Sequence, residues 1–192
     1  MKTKNLLLIV LLFAATTSFG QIRFGLTAGA NFANLTGDDA GDNNAMKIGV
    51  HGGLLVDLGI NDNFMIEGGV LYSMKGTQDA DESDAKLNLN YLEIPILAKY
   101  QLESGLNFFL GPYIGFLMSA TVEPGGTDIK DATESTDVGL KVGLGYQLES
   151  GLGFNAHYEM GLTSVGKEVA GETPKINNAV IGVGLSYMFG GK

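Results

Sequence analysis

The chain has 192 residues, a formal net charge of −9 and no cysteine. The missing thiols exclude disulfides, thiolate metal sites, cysteine nucleophiles and a lipid-anchored cysteine, and the acidic balance excludes nucleic acid as a partner, because phosphate binding needs a basic surface. No stretch beyond the N-terminus approaches the roughly 20 apolar residues of a membrane helix, so a helical membrane protein is excluded as well.

Residues 1–20, MKTKNLLLIVLLFAATTSFG, join two lysines to an apolar core from Leu6 to Ala15 and end on the small residues Ser18 and Gly20. That is the pattern of a secretory signal peptide, too short to span a bilayer, so the mature domain is expected to comprise residues 21–192. Losing Lys2 and Lys4 with it leaves 10 basic against 21 acidic residues, a net charge of −11.

After Gln21, period-2 alternation, the signature of a strand with two unlike faces, runs through eight segments. In the first, one face reads Ile22, Phe24, Leu26, Ala28, Ala30, Phe32. In the second, Lys47 to Ile60, it reads Ile48, Val50, Gly52, Leu54, Val56, Leu58, Ile60. The third has Phe64, Ile66, Gly68, Val70, Tyr72, Met74. The fourth has Leu92, Ile94, Ile96, Ala98, Tyr100, and the fifth Leu106, Phe108, Leu110, Pro112, Ile114, Phe116, Met118. The sixth has Val138, Leu140, Val142, Leu144, Tyr146, Leu148, and the seventh Leu152, Phe154, Ala156, Tyr158, Met160, Leu162. The eighth has Ala179, Ile181, Val183, Leu185, Tyr187, Phe189. None of these positions is charged. The opposite faces carry Arg23, Lys47, Lys75, Lys99 and Lys141 against Asp57, Glu67, Glu93, Asp137 and Glu159, together with His51 and His157.

Such two-faced strands suit either a soluble lipocalin-like barrel with an apolar interior or a membrane barrel with an apolar exterior. Three features favour the second. Connections alternate, about three residues after segments two, four and six but about eleven to seventeen after the others, as outer-membrane barrels require. The aromatic residues Phe24, Phe64, Tyr100, Phe108, Tyr146, Phe154, Tyr187 and Phe189 collect at the short-turn end of the apolar face, where rings anchor at a membrane interface. Many of the 29 glycines lie on the charged face, as a narrow lumen shared with long polar side chains needs. The expected fold is therefore all-β, an eight-stranded antiparallel transmembrane up-and-down β-barrel.

The fourth segment breaks the pattern, because Leu87 and Leu89 are in phase with Tyr91 and not with Leu92. This predicts a bulge near Tyr91, or a first stretch standing above the membrane. The heptapeptide YQLESGL occurs at 100–106 and again at 146–152. It reads as one hairpin used twice, with a Glu-Ser-Gly turn whose glycine takes positive φ.

The stretch YLEIPILAKY at residues 91–100, with RFGLTAGANFANL following a Gln-initiated terminus and a closing strand GVGLSYMF, resembles the PorT-like outer-membrane β-barrel domain family over essentially the whole mature chain. The resemblance implies a small outer-membrane barrel, some of whose relatives serve protein secretion, and it carries over no catalytic residues. Phe189 resembles the terminal aromatic read by the barrel-insertion machinery, with Gly190, Gly191 and Lys192 following it.

The lumen charges Arg23, Lys47, Asp57, Glu67, Lys75, Glu93, Lys99, Asp137, Lys141 and Glu159, with His51 and His157, are expected to form a paired polar network, since unpaired charges in low dielectric are costly. A narrow conducting pore is the alternative use of the same residues. A lipid-modifying hydrolase would need a nucleophile beside a histidine on the lipid side, and none is there. The loops carry the acids Asp38, Asp39, Asp42, Asp79, Asp81, Glu82, Asp84, Glu123, Asp128, Asp131, Glu134, Glu168 and Glu172; the run DADESD lacks the glycine and final Glu of a calcium loop. No cofactor, metal or catalytic residue is expected. The partners expected are membrane lipid, the insertion machinery and an extracellular or secretion-apparatus protein. The role expected is non-enzymatic, structural or interactive, with a soluble binder of a small hydrophobic ligand as a further alternative.

Overall fold

A computed structural model describes residues 22–41, 43–82, 84–168 and 171–190. The expected signal peptide at 1–20, Gln21, Asp42, Gly191 and Lys192 lie outside them.

Eight strands of 10 to 18 residues follow one another: Ile22–Thr36, Lys47–Gly59, Phe64–Asp79, Lys86–Gln101, Leu106–Glu123, Thr136–Gln147, Leu152–Gly161 and Asn177–Met188. Each pairs antiparallel with its neighbour in sequence, and the eighth pairs with the first through Leu26↔Tyr187 and Phe32↔Ile181. The sheet thus closes and leaves no unpaired edge among these strands. Two-residue strands, Asn44–Ala45 and Thr127–Asp128, and one 3-10 turn, Lys130–Ala132, lie in the connections.

The alternation decides which face looks where. Ile48 is 70% exposed, Leu54 62% and Leu144 52%, all on the outer wall, whereas Lys75 and Glu93 inside are fully buried. An apolar outer wall around buried charges is the reverse of a soluble lipocalin-like barrel, and this overturns that alternative.

At one end the connections are tight: residues 60–63, 102–105 and 148–151. The two YQLESGL copies form the same joint. Leu102 N–H donates to Leu106 C=O at 2.8 Å and Leu148 N–H to Leu152 C=O at 2.8 Å. Gly105 and Gly151 sit at φ +93° and +91°, a region glycine enters without steric cost. Each turn glycine also offers its carbonyl to the next hairpin, Gly105 to Gln147 N–H at 2.9 Å and Gly151 to Met188 N–H at 2.8 Å.

At the other end the structure departs from the expected loop lengths. The third and fourth strands reach Asp79 and Lys86 and are joined by only residues 80–85, so Thr77, expected in a loop, is a buried strand residue. The irregularity expected near Tyr91 is real, but its extra residue sits on the partner strand. Asn90 faces Ser119 and Tyr91 faces Leu117, so Met118 bulges out. Leu89 and Tyr91 simply point inward in phase with Glu93, and the bulge turns Ala120 inward opposite Leu89. Ala179, expected on the outer face, is buried.

Candidate functional site

Inside the barrel, two ion-pair groups lie one above the other. Nearer the tight turns, Asp57 receives Arg23 at 3.1 Å and Lys99 at 3.6 Å, and Lys99 reaches Glu67 at 2.6 Å. Register explains the grouping, since Arg23 is the cross-strand partner of Asp57, and Asp57 of Glu67.

At mid-height Lys75 is the hub. Its ammonium contacts Glu159 at 2.8 Å, Glu93 at 2.9 Å and Asp137 at 3.2 Å, while Lys141 reaches Glu93 and Glu159, each at 2.7 Å. The Lys75 Nζ also stands 4.1 Å from the centre of the Tyr113 ring, whose hydroxyl donates to Asp137 at 3.2 Å. Three carboxylates thus stand at ion-pair distance from one ammonium, and Asp137 accepts a hydrogen bond from it. Buried charges packed this way are held by mutual attraction, and removing one member leaves the others uncompensated.

His157 lies 3.4 Å from Glu159, and its ring packs edge-on against His51 at 5.3 Å. His51 Nδ1 is 2.7 Å from the Asn31 side-chain oxygen, and Asn31 in turn donates to Ser73 Oγ at 3.1 Å. A cavity of about 50 Å³, room for one or two waters, separates the two ion-pair groups and is lined by His51, Glu67, Lys99, Lys141, His157 and Ser186. Lys47 stands apart from both groups, its Nζ donating to the Lys75 backbone carbonyl at 3.1 Å.

The glycines of the sixth strand make room for this interior. Tyr113 and Phe109 lie directly over their cross-strand partners Gly139 and Gly143, where an added Cβ would meet the Tyr113 ring at 2.6 Å and would collide with the Phe109 ring.

The long-loop end is closed by an apolar cluster that sequence reading missed: Leu35, Leu89, Tyr91, Leu117, Ala120 and Val165, with Ala40, Ile129 and Ile176 packed on it. Only the Leu87, Leu89, Tyr91 run hinted at it, because Leu35, Leu117 and Ala120 lie at the ends of other strands and Ala40, Ile129, Val165 and Ile176 come from loops without periodicity. The loops holding it are cross-linked. Val165 N–H donates to Ile176 C=O at 2.7 Å, Glu134 N–H to Val165 C=O at 2.8 Å, and Lys167 Nζ to Asp131 C=O at 2.8 Å. Asp38 pairs with Lys175 at 2.8 Å, and the Lys175 amide donates to Asp39 at 2.8 Å. The hydrogen bond and charge of Lys175 hold the Asp38 carboxyl below its ordinary range.

On the outer wall, Phe24, Tyr100, Phe108, Tyr146, Phe154, Tyr187 and Phe189 are exposed and Phe64 is half-buried, all near the tight turns. Tyr187 and Phe189 meet edge-on at 5.3 Å. Phe32, Tyr72, Phe116 and Tyr158 stand on the same wall toward the long loops.

The sequence matches the family model described as outer membrane protein beta-barrel domain over residues 13–166. No curated protein matches the chain. Among solved structures it is similar to the neisserial surface protein NspA, with a TM-score of 0.55 and 18% identity over 86% of this chain and 97% of that one. It is also similar to the attachment invasion locus protein Ail of Yersinia pestis, at 0.51 and 14% over 87% and 98%. A second Ail structure, in complex with the heparin analogue sucrose octasulfate, gives 0.53 and 14% over 88% and 99%. At these identities the likeness concerns the fold.

Proposed function

The chain belongs to the outer membrane protein β-barrel domain family, and from that premise we propose that it is a non-enzymatic, non-conducting barrel whose function is to present a fixed acidic loop surface to a protein partner. It is located in the outer membrane, and lipid contacts its apolar wall. With an even strand count both ends of the barrel chain lie with the short turns, which in such barrels face the periplasm, and the long loops face outward.

The carrying observation is the extracellular cap. Leu89, Tyr91, Leu117 and Val165 fill the mouth of the lumen, and the Lys75 network fills its middle, which supports a structural use of the lumen charges over a conducting one. Neither histidine hydrogen-bonds a hydroxyl among the described residues, which supports a role without catalysis. The Ail structure was obtained with a polyanion; here Asp38, Asp39, Asp131 and Glu134 instead favour a basic protein surface, by charge complementarity.

Beyond the family, the PorT-like resemblance supports an accessory part in secretion. The reading includes export by a cleaved signal over residues 1–20, a mature domain 21–192, anchoring by the lower aromatic ring, and insertion directed by the terminal Phe189. The test is deletion of Lys130–Glu134 from the cap. Insertion should persist, measured by the heat-dependent gel shift of folded barrels, while capture of a basic partner from the cell surface is lost. Partner capture that is unchanged by the deletion, or discrete single-channel currents from the intact protein, would overturn it.

A further inference from the structure

Of the cations on the inward face, Lys47 is the one that makes no direct ion pair among the described residues; Glu123, in the same groove, acts on it only from beyond contact distance. The other four, Arg23, Lys75, Lys99 and Lys141, each pair with a carboxylate. Lys47 is 4% exposed, yet its ammonium has one acceptor, the Lys75 carbonyl, and no carboxylate at ion-pair distance among the described residues. An ammonium carries three donors, and leaving them unfilled in a buried place is costly.

The Lys47 side chain lines a groove of about 430 Å³ on the barrel wall, together with Met46, Ile48, Met74, Gln78, Lys86, Asn88 and the single carboxylate Glu123. The Lys86 ammonium makes neither an ion pair nor a hydrogen bond among the described residues. Its cross-strand neighbour Glu123, at the rim, accepts instead from Asn88 at 3.1 Å. Along the third strand the groove starts at Met74, one outward position beyond the exposed ring of Tyr72, and ends at Gln78 near the strand's extracellular end. Since exposed rings mark the interface, the groove stands at headgroup level, with Met46, Ile48 and Met74 continuing the apolar wall beneath it.

We propose that this groove is a binding site for the phosphate of an outer-leaflet glycolipid. The phosphate takes the free donors of Lys47 and Lys86 as charge-assisted hydrogen bonds, and an acyl chain lies along Met46, Ile48 and Met74. The apolar floor is what selects a lipid over a soluble anion.

The test uses the full chain in phosphatidylcholine nanodiscs with a minor fraction of lipid A, followed by detergent extraction and native mass spectrometry of retained lipid. The wild type should retain lipid A in preference to phosphatidylcholine. Lys47→Met, which keeps the apolar stem, and Lys86→Gln should each lower retention about tenfold, as expected for losing a charge-assisted hydrogen bond. Lys175→Gln, in the loop cap, should leave it unchanged. Should Lys47→Met fail the gel-shift test for folding, the half-buried Lys86→Gln decides alone. Retention equal in Lys86→Gln and wild type would overturn the site, and displacement of lipid A by equimolar inorganic phosphate would overturn its assignment to a lipid.

Discussion

Lys75 concentrates the electrostatics of this protein in one side chain. Its ammonium is surrounded by Glu93, Asp137 and Glu159, all buried. Lys75→Ala strands Asp137 and leaves Glu93 and Glu159 to share Lys141, and should destabilise the barrel by about 3–5 kcal/mol, measured by urea unfolding in detergent micelles. Lys47→Ala removes a cation outside the ion-pair groups and should cost less. Gly143→Ala should also be destabilising, because its Cβ would run into the Phe109 ring. A paired Phe109→Ala substitution should not restore that loss, because the added Cβ would still stand 2.6 Å from the Ala156 carbonyl and the buried ring's packing would be lost as well. The exposed pair Asp38 and Lys175 gives a pH window of known sign. Asp38 is held low by Lys175, so its support for the loop is present above the ordinary carboxylate range and is lost as pH falls through its lowered value. Lys175 is held high by Asp38, so its support is present below the ordinary lysine range and is lost as pH rises through the raised value. Lys175→Gln should raise the pH at which the Asp38 carboxyl resonance titrates, followed by NMR.

Elements differ in how local their causes are. The tight joints at 102–105 and 148–151 follow from seven residues each, because a glycine at positive φ and two backbone bonds suffice to close them. The Met118 bulge instead depends on two strands at once. Its alternation appears regular in sequence as far as Met118, and only the pairing of Leu89 with Ala120 makes the extra residue necessary. Deleting Met118 should therefore leave a regular ladder, with Ser119 outward opposite Asn90 and Ala120 still inward opposite Leu89, and the cap should stay closed. The cap itself draws on three loops and three strand ends, and Val165→Asp should loosen it. In intact cells trypsin should then cut after Lys130 or Lys167, sites the wild type protects. Cleavage at equal rates in both would show that the cap does not hold the loops.

At the scale of the whole molecule, the closed sheet puts the apolar face of every strand outside and the charges inside. Single cysteines, introduced into a chain that has none, test this directly. Labels at Val56 and Leu144 should be quenched by a lipid-borne quencher, and a label at the buried Leu97 should not. Gly53 is a poor position for such a label because its Cβ would strike the Val70 carbonyl. In planar bilayers the protein should give no discrete currents, and Lys75→Ala should give none either while the cap stays closed.

The sequence by itself determined the strands, their two faces, the tight-turn end and the list of charges kept from water. Period-2 alternation is local, and a polar side chain on one face of a closed sheet has only one side to go to. Tertiary structure alone decided which charges meet, that Lys47 makes no direct ion pair among the described residues, and that an apolar cap seals the lumen. Those outcomes depend on stagger between strands and on contacts between loops far apart in the chain. Alternation says which face a side chain takes, and shear around the barrel sets its height, so only closure could bring Lys75 of the third strand to Glu159 of the seventh.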